Sequence, residues 1–304
     1  MNIESNNLWG IDLGGTKVEG VVLKSAEEPE VLFRDRLPTE ASKGYQHVIG
    51  QIIKVVELME KAMGYRAEKL GIGTPGTLDP ITGKMKNSNS TALNHQPLHH
   101  DLETALNMKV RMANDANCFA LAEANMGVVK QEQIKAEVVF GVIMGTGVGG
   151  GVVVNGKVIN GLQGIGGEWG HNFLDASGGD CYCGKKGCVE KILSGPALER
   201  YYHSVSGLNK SLKEIVAQKD KDVYAKHTIE RLIHFFGLGL SVVVNILDPD
   251  VIVLGGGVGN VDALYTEGVE SLKKHVFNNR LDTKVLRPSL GDSAGVFGAA
   301  FLNA

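Results

Sequence analysis

The stretch GIDLGGTKVEGVVL, residues 10–23, can be laid without a gap on GVIMGTGVGGGVVV, residues 141–154. Apolar positions fall on apolar positions, and the turns coincide, with Gly14 on Gly145 and Gly20 on Gly151. Each copy reads as strand, tight glycine turn, strand. Glycine turns are common enough to match by chance, but each copy opens a new series of alternating elements. The pattern predicts a duplicated α/β architecture, with a repeat near the middle of the 304-residue chain.

Outward from the first hairpin, residues 30–37 offer a third strand. Tyr45, Val48, Ile49, Ile52, Val55, Val56, Met59, Ala62 and Met63 recur at helical spacing. Strands follow at 70–73 and 110–113, with helices at 99–107 and 115–126. In the second half, the apolar spacing from Val223 to Leu247 predicts a long helix, which Asp248-Pro249 should end. A strand at 251–254 leads into Gly255-Gly256-Gly257, and Gly291-Asp292-Ser293-Ala294-Gly295 introduces a short apolar helix at the end of the chain. At this length two modest lobes are expected, residues 1–112 with 290–304 and residues 113–289.

The 40 glycines exceed the usual share of about 7%, and they gather at strand ends. Gly145-x-Gly147-x-x-Gly150 matches the dinucleotide fingerprint in letters. That motif needs a helix after the glycines, whereas residues 151–154 are Gly-Val-Val-Val, a strand. Three turns remain candidates for phosphate contact through bare backbone amides: Asp12-Leu-Gly14-Gly15-Thr16-Lys17, Gly145-Thr146-Gly147 and Gly255-Gly256-Gly257. Asp12 adds a carboxylate suited to Mg²⁺. Any one turn alone is more often structural; three on two lobes favour a nucleotide. Asn114-Asp115 stands where a strand meets a helix. There an acid either caps the helix or serves as a general base toward a hydroxyl.

His171, Cys181, Cys183 and Cys188 lie within eighteen residues, and glycines 178, 179, 184 and 187 give their loop room to fold around an ion. Three thiols and one imidazole suit tetrahedral Zn²⁺. Disulfide pairing would leave one thiol over. With no open ligand position, the metal reads as structural. Cys118 belongs to an apolar helix face. Glu168 and Glu190 flank the loop, either as surface charge or as acceptors for sugar hydroxyls.

A formal charge of −3 with no basic run argues against nucleic acid or an anionic membrane as partner. The longest uncharged stretch, residues 138–156, holds seven glycines, too many for a membrane helix. The first seven residues lack the pattern of a leader peptide, so a cytoplasmic protein is expected.

In the combination Asp12-x-Gly-Gly-Thr-Lys17, Gly73-x-Pro-Gly76, Asn114-Asp-Ala-Asn117, Gly145-Thr-Gly147, Glu168-x-Gly-His171, Cys181-x-Cys-Gly-x-x-Gly-Cys-x-Glu190 and Gly255-Gly-Gly257, the chain resembles the ROK family (repressor, open reading frame, kinase) of sugar kinases over nearly its whole length. Within it, Lys86-Asn-Ser-Asn-Ser-Thr91 and residues 245–257 look most like the fructokinase/mannokinase branch. The resemblance implies an actin-like, ribonuclease H-like fold: two lobes with a duplicated βββαβαβα core, hinged around an ATP cleft, and a small zinc-binding loop. It implies an ATP- and Mg²⁺-dependent hexose kinase acting on the 6-hydroxyl of fructose, with glucokinase or N-acetylhexosamine kinase as the alternative. By the same resemblance Asp115 is the catalytic base. Gly76, Thr77, Asn89, Asn114, Glu168, His171 and Glu190 contact the sugar. Asp12, Gly14, Gly15, Thr16, Lys17, Gly145, Thr146, Gly147, Gly256 and Gly257 hold nucleotide and Mg²⁺. His171 and the three cysteines hold structural Zn²⁺, and a homodimer is the family expectation. The family also contains transcriptional repressors, which carry a helix-turn-helix ahead of the first strand; here that strand is expected near Leu8.

Overall fold

The computed structural model describes residues 6–304. The reading of the first residues as lacking a leader falls mostly outside that range. The first hairpin forms as its sequence demands: β1 (Leu8–Leu13) and β2 (Lys17–Leu23) pair antiparallel, and the exposed, charge-rich β3 (Val31–Pro38) adds an edge. Helix α1 (Tyr45–Met63) buries Val48, Ile52, Val55, Val56 and Met59, and ends where Gly64 adopts φ 77°. Then come β4 (Lys69–Thr74), a small hairpin of β5 (Thr77–Leu78) and β6 (Met85–Lys86), α2 (Leu98–Leu106), β7 (Lys109–Asn114), α3 (Asp115–Asn125) and the single turn α4 (Val128–Gln131). The sheet order is β3-β2-β1-β4-β7, with β1, β4 and β7 parallel.

The second series repeats the plan. Strands β8 (Val138–Met144), β9 (Val148–Val154) and β10 (Lys157–Val158) are followed by a long excursion with α5 (Glu190–Leu193), α6 (Gly195–Ser206), α7 (Leu212–Gln218) and α8 (Val223–Leu247). After these come β11 (Val251–Gly255), α9 (Gly256–Gly259), α10 (Glu267–His275), β12 (Lys284–Leu286) and α11 (Ala294–Phe301). Here the order is β10-β9-β8-β11-β12. With the separate β5–β6 hairpin left out and the sheet strands numbered within each series, both sheets run 3-2-1-4-5. The three-residue connections, 14–16 and 145–147, fall at equivalent places, so the α/β duplication expected from the hairpins extends to topology. Gly151 continues a strand, which rules out the dinucleotide motif on structure as well as on sequence.

Helix α8 is 25 residues long and apolar enough to cross a membrane on composition. Within the fold it is a packing helix: Ile229, Leu232, Phe236 and Leu240 are buried. Its start is capped by Asp222, which accepts from the Tyr224 and Ala225 amides, and its end turns left-handed at Asp248 before Pro249.

The chain divides into two compact units, Met1–Lys135 with Gly151–Gly166 and Ser289–Ala304, and Ala136–Gly150 with Gly167–Pro288. This corrects the expected boundary at residue 112, because α3 and Asp115 belong to the first unit. The reason is the close seating of α11 on α3 and on strands of the first sheet. A Cβ at Gly298 would lie 1.7 Å from the Cys118 carbonyl oxygen, and one at Gly71 1.8 Å from that of Ala299. Many of the surplus glycines are there because backbone meets backbone.

Candidate active site

In the first unit, the carboxyl ends of the three parallel strands converge, which is where open α/β sheets bind ligands. Asp12 pairs with Gly73, and Thr74 with Asn114, the last residue of β7. Asn114 settles the capping question: its Oδ1 accepts from the Asn117 amide at 2.8 Å. The cap is therefore Asn114, and Asp115 begins the helix with an exposed carboxylate. One of its oxygens accepts from the Ala116 amide at 2.8 Å. Protein crowding at longer range raises the Asp115 pKa, against the pull of backbone amides.

Asp12 feels Asp115. Burial, then the Asp115 charge, lift its carboxyl to about 6, with Lys17 opposing and Glu19 adding to the rise. Glu19 is 1% exposed. It pairs with Lys17 Nζ at 2.5 Å and Arg34 at 2.5 Å; burial pushes its pKa up, and the two cations outweigh that and lower it. Arg34 also donates to Ser293, just before α11, whose Gly295 lies against the Asp12 carboxylate. Sequence reading missed this set, because Arg34 and Ser293 are 259 residues apart. The first glycine turn closes through Gly14 N to Lys17 O, 2.9 Å, leaving Gly15 and Thr16 exposed. Gly76 takes φ 87°, and a side chain there would strike Lys86 and Ser88. Thr77 donates to the Gly164 carbonyl at 2.8 Å, and Asn89 is exposed on a loop that Asn94 ties to both backbone groups of Ser88.

In the second unit, Gly145 follows β8 and Gly256 follows β11, again at parallel carboxyl ends. A Cβ on Gly145 or Gly257 would meet nothing within 4 Å, and neither residue needs a positive φ. Packing does not demand glycine there, whereas close approach by a ligand would. Gly256 differs: φ is 79°, and a side chain would meet the Met144 carbonyl at 2.3 Å. Glu190, expected at the sugar, accepts from the Val148 amide at 3.1 Å and so braces the Gly145–Gly147 turn.

The metal candidates come together. One donor atom from each of His171, Cys181, Cys183 and Cys188 lies within 4.8 Å of all the others. Cys181 Sγ is 3.7 Å from His171 Nδ1, and the Cys183 and Cys188 sulfurs are 3.6 Å apart. Zn–S bonds of about 2.3 Å in a tetrahedron put ligand atoms about 3.8 Å apart, whereas a disulfide needs about 2.05 Å. The donor set fits Zn²⁺. The other ring nitrogen, His171 Nε2, lies 3.0 Å from Tyr182 Oη, a partner that would orient the imidazole. Burial, followed by Glu190, raises the Tyr182 phenol to about 12, with Glu168 a smaller contributor. Sequence reading overlooked Tyr182, whose only signal is its place between two cysteines. Cys118 is buried core, as expected.

The model of the ROK family matches residues 8–304. An N-acetyl-D-glucosamine kinase of Pasteurella multocida is 35% identical over 97% of this chain and 98% of its own length. Among solved structures, a ROK hexokinase from Thermus thermophilus superposes with TM-score 0.87 at 32% identity, covering 97% of each chain. A ROK family glucokinase from Streptomyces griseus, in complex with glucose and AMPPNP, gives TM-score 0.75 at 27% identity, over 97% of this chain and 98% of that one. The chain belongs to the ROK family, and it is a sugar kinase with the actin-like fold.

Proposed function

We propose that this protein transfers the γ-phosphoryl group of ATP to the 6-hydroxyl of a hexose, with N-acetylhexosamines foremost among its acceptors. The observation that carries the reaction is Asp115: a carboxylate at a strand's carboxyl end, relieved of capping by Asn114 and raised in pKa, as a base working near neutral pH requires. It takes the proton as the sugar oxygen attacks phosphorus and the bond to ADP breaks. By the family resemblance, Gly76, Thr77, Asn89, Asn114, Glu168, His171 and Glu190 are the residues that orient the sugar. The bare amides around Gly14–Thr16, Gly145–Gly147 and Gly257 receive phosphate oxygens.

Asp12 is a hard oxygen donor that suits Mg²⁺, which when bound would neutralise charge on the transferring group, and this leaves Asp115 free to act as the base. Acceptor preference follows the curated relatives named N-acetyl-D-glucosamine kinase. Fructose, suggested by residues 86–91 and 245–257, has no counterpart among the relatives named above. The protein is read as cytoplasmic; it is also read as homodimeric, and light scattering of the purified protein tests the dimer.

A coupled ADP-release assay over N-acetylglucosamine, N-acetylmannosamine, glucose, mannose and fructose tests this reading. Turnover with N-acetylglucosamine, and none with its 6-deoxy analogue, is expected. Equal turnover with the 6-deoxy sugar would refute 6-hydroxyl transfer, and a higher kcat/KM on fructose would restore the fructokinase reading.

A further inference from the structure

Beside the converging strand ends of the first unit lies a cavity of about 160 Å³. Thr74, Thr77, Leu78, Met112, Asn160 and Gly164 are among its walls. It shares Thr77 with the proposed sugar contacts. It also touches Ala113, the residue before Asn114, and Thr74, the register partner of Asn114. Asp115 is not part of it. In a hexopyranose the C2 substituent and the C6 hydroxyl sit at opposite sides of the ring. A pocket for the first should therefore adjoin the site while standing clear of the base that serves the second.

The walls are preformed. Gly166 N bonds Asn160 O at 2.9 Å, and Gly164 N bonds Gly161 O at 3.2 Å, closing the loop on itself. Thr77 Oγ1 then ties that loop to β5 through the Gly164 carbonyl, 2.8 Å away. The chemistry of the lining is mixed in a specific way. Leu78 and Met112 supply apolar surface, and both are packed against the main core of this unit. The Asn160 side-chain amide makes no hydrogen bond among the described residues and offers both a donor and an acceptor. Thr77 Oγ1 spends its proton on Gly164 and keeps lone pairs for an incoming N–H. A 2-hydroxyl would leave most of this volume to water, one of which occupies roughly 30 Å³ in the liquid. An acetamido group adds a carbonyl for Asn160, an N–H for Thr77 and a methyl for the Leu78–Met112 wall.

We propose that this cavity seats the 2-acylamino group of an N-acylated hexosamine, and that Asn160 and the Leu78–Met112 wall set the preference for such sugars over plain hexoses. The inference rests on the sugar-kinase reading, and binding separates its fate from that reading because it needs no phosphoryl transfer.

Titration calorimetry on the full chain would compare glucose with N-formyl-, N-acetyl-, N-propionyl- and N-hexanoyl-glucosamine, alongside the coupled assay. The expected result is N-acetylglucosamine at least tenfold tighter than glucose, N-formyl weaker, and N-hexanoyl weaker than N-acetyl, because the longer chain outgrows a cavity of about 160 Å³. Asn160→Leu, at an exposed position where folding is not at stake, should cut the N-acetylglucosamine to glucose affinity ratio at least fivefold. A flat acyl series, or a ratio unchanged in Asn160→Leu, overturns the pocket assignment while leaving the kinase intact. Failure of every sugar both to bind and to react sinks the kinase reading and this inference together.

Discussion

Either Asn114 or Asp115 has a side-chain oxygen able to cap a helix, but only a carboxylate can act as a general base. Asn114 caps α3, so the helix does not depend on the neighbouring carboxylate. Asp115→Asn should therefore leave the circular dichroism spectrum and sugar affinity in place while kcat drops by about two to four orders of magnitude. A mutant with near-normal kcat would remove Asp115 from the role of base. Asp12 yields a prediction in pH. Its folded-state pKa, about 6, stands above the usual 3.8, so the folded protein holds this proton more tightly than the unfolded chain. In metal-free protein, stability contributed by that site should fall as pH rises from about 4 to about 6, by an amount on the order of 3 kcal/mol. Asp12→Asn should flatten that slope and raise the melting temperature at pH 7.5 without metal, while activity with Mg²⁺ is lost. Thermal scans from pH 4 to 8 check the sign; a melting temperature at pH 7.5 no higher than wild type would contradict it.

At the scale of elements, two kinds of glycine are at work. Gly145 and Gly257 stand in open space, whereas Gly298 is pressed on the Cys118 carbonyl. Gly298→Ala should separate α11 from α3 and cost about 1–3 kcal/mol, read as a lower denaturation midpoint in urea. Gly145→Ala should leave that midpoint nearly unchanged and raise KM for ATP. The loop that carries the four candidate metal ligands has little regular structure of its own: between Trp169 and Leu193 it has only single helical turns and isolated bridges. Metal analysis should find close to one zinc per chain, and chelation should lower the melting temperature by several degrees. Retention of the full melting temperature in zinc-free protein would show that the loop folds without it.

For the whole molecule, the informative fact is how often the chain changes unit: after residues 135, 150, 166 and 288. The last return brings α11 onto β1 and β4, where Gly10 and Gly71 make room for its backbone. Glu123 anchors that return, accepting from the amides of Val128, Ser289 and Leu290 while itself fully buried. A fragment ending at residue 135 lacks this helix and should show no cooperative unfolding transition, whereas the same fragment mixed with a 286–304 peptide should regain part of its helical signal. Cooperative folding of the fragment alone would contradict this account.

Duplication, most element positions and the grouping of the four candidate metal ligands were legible in the sequence, because each is written in short-range periodicity or in residues within eighteen of one another. The helices Tyr45–Met63 and Val223–Leu247 start and stop where their apolar spacing and terminal residues dictate. Tertiary structure alone decided that Asn114 and not Asp115 caps the helix, that α3 belongs with α11, that Glu190 braces a glycine turn, and that Arg34, Glu19 and Ser293 form one network. These depend on which distant backbones approach within bonding distance. Approach is set by the packing of whole elements, and no local pattern of side chains records it.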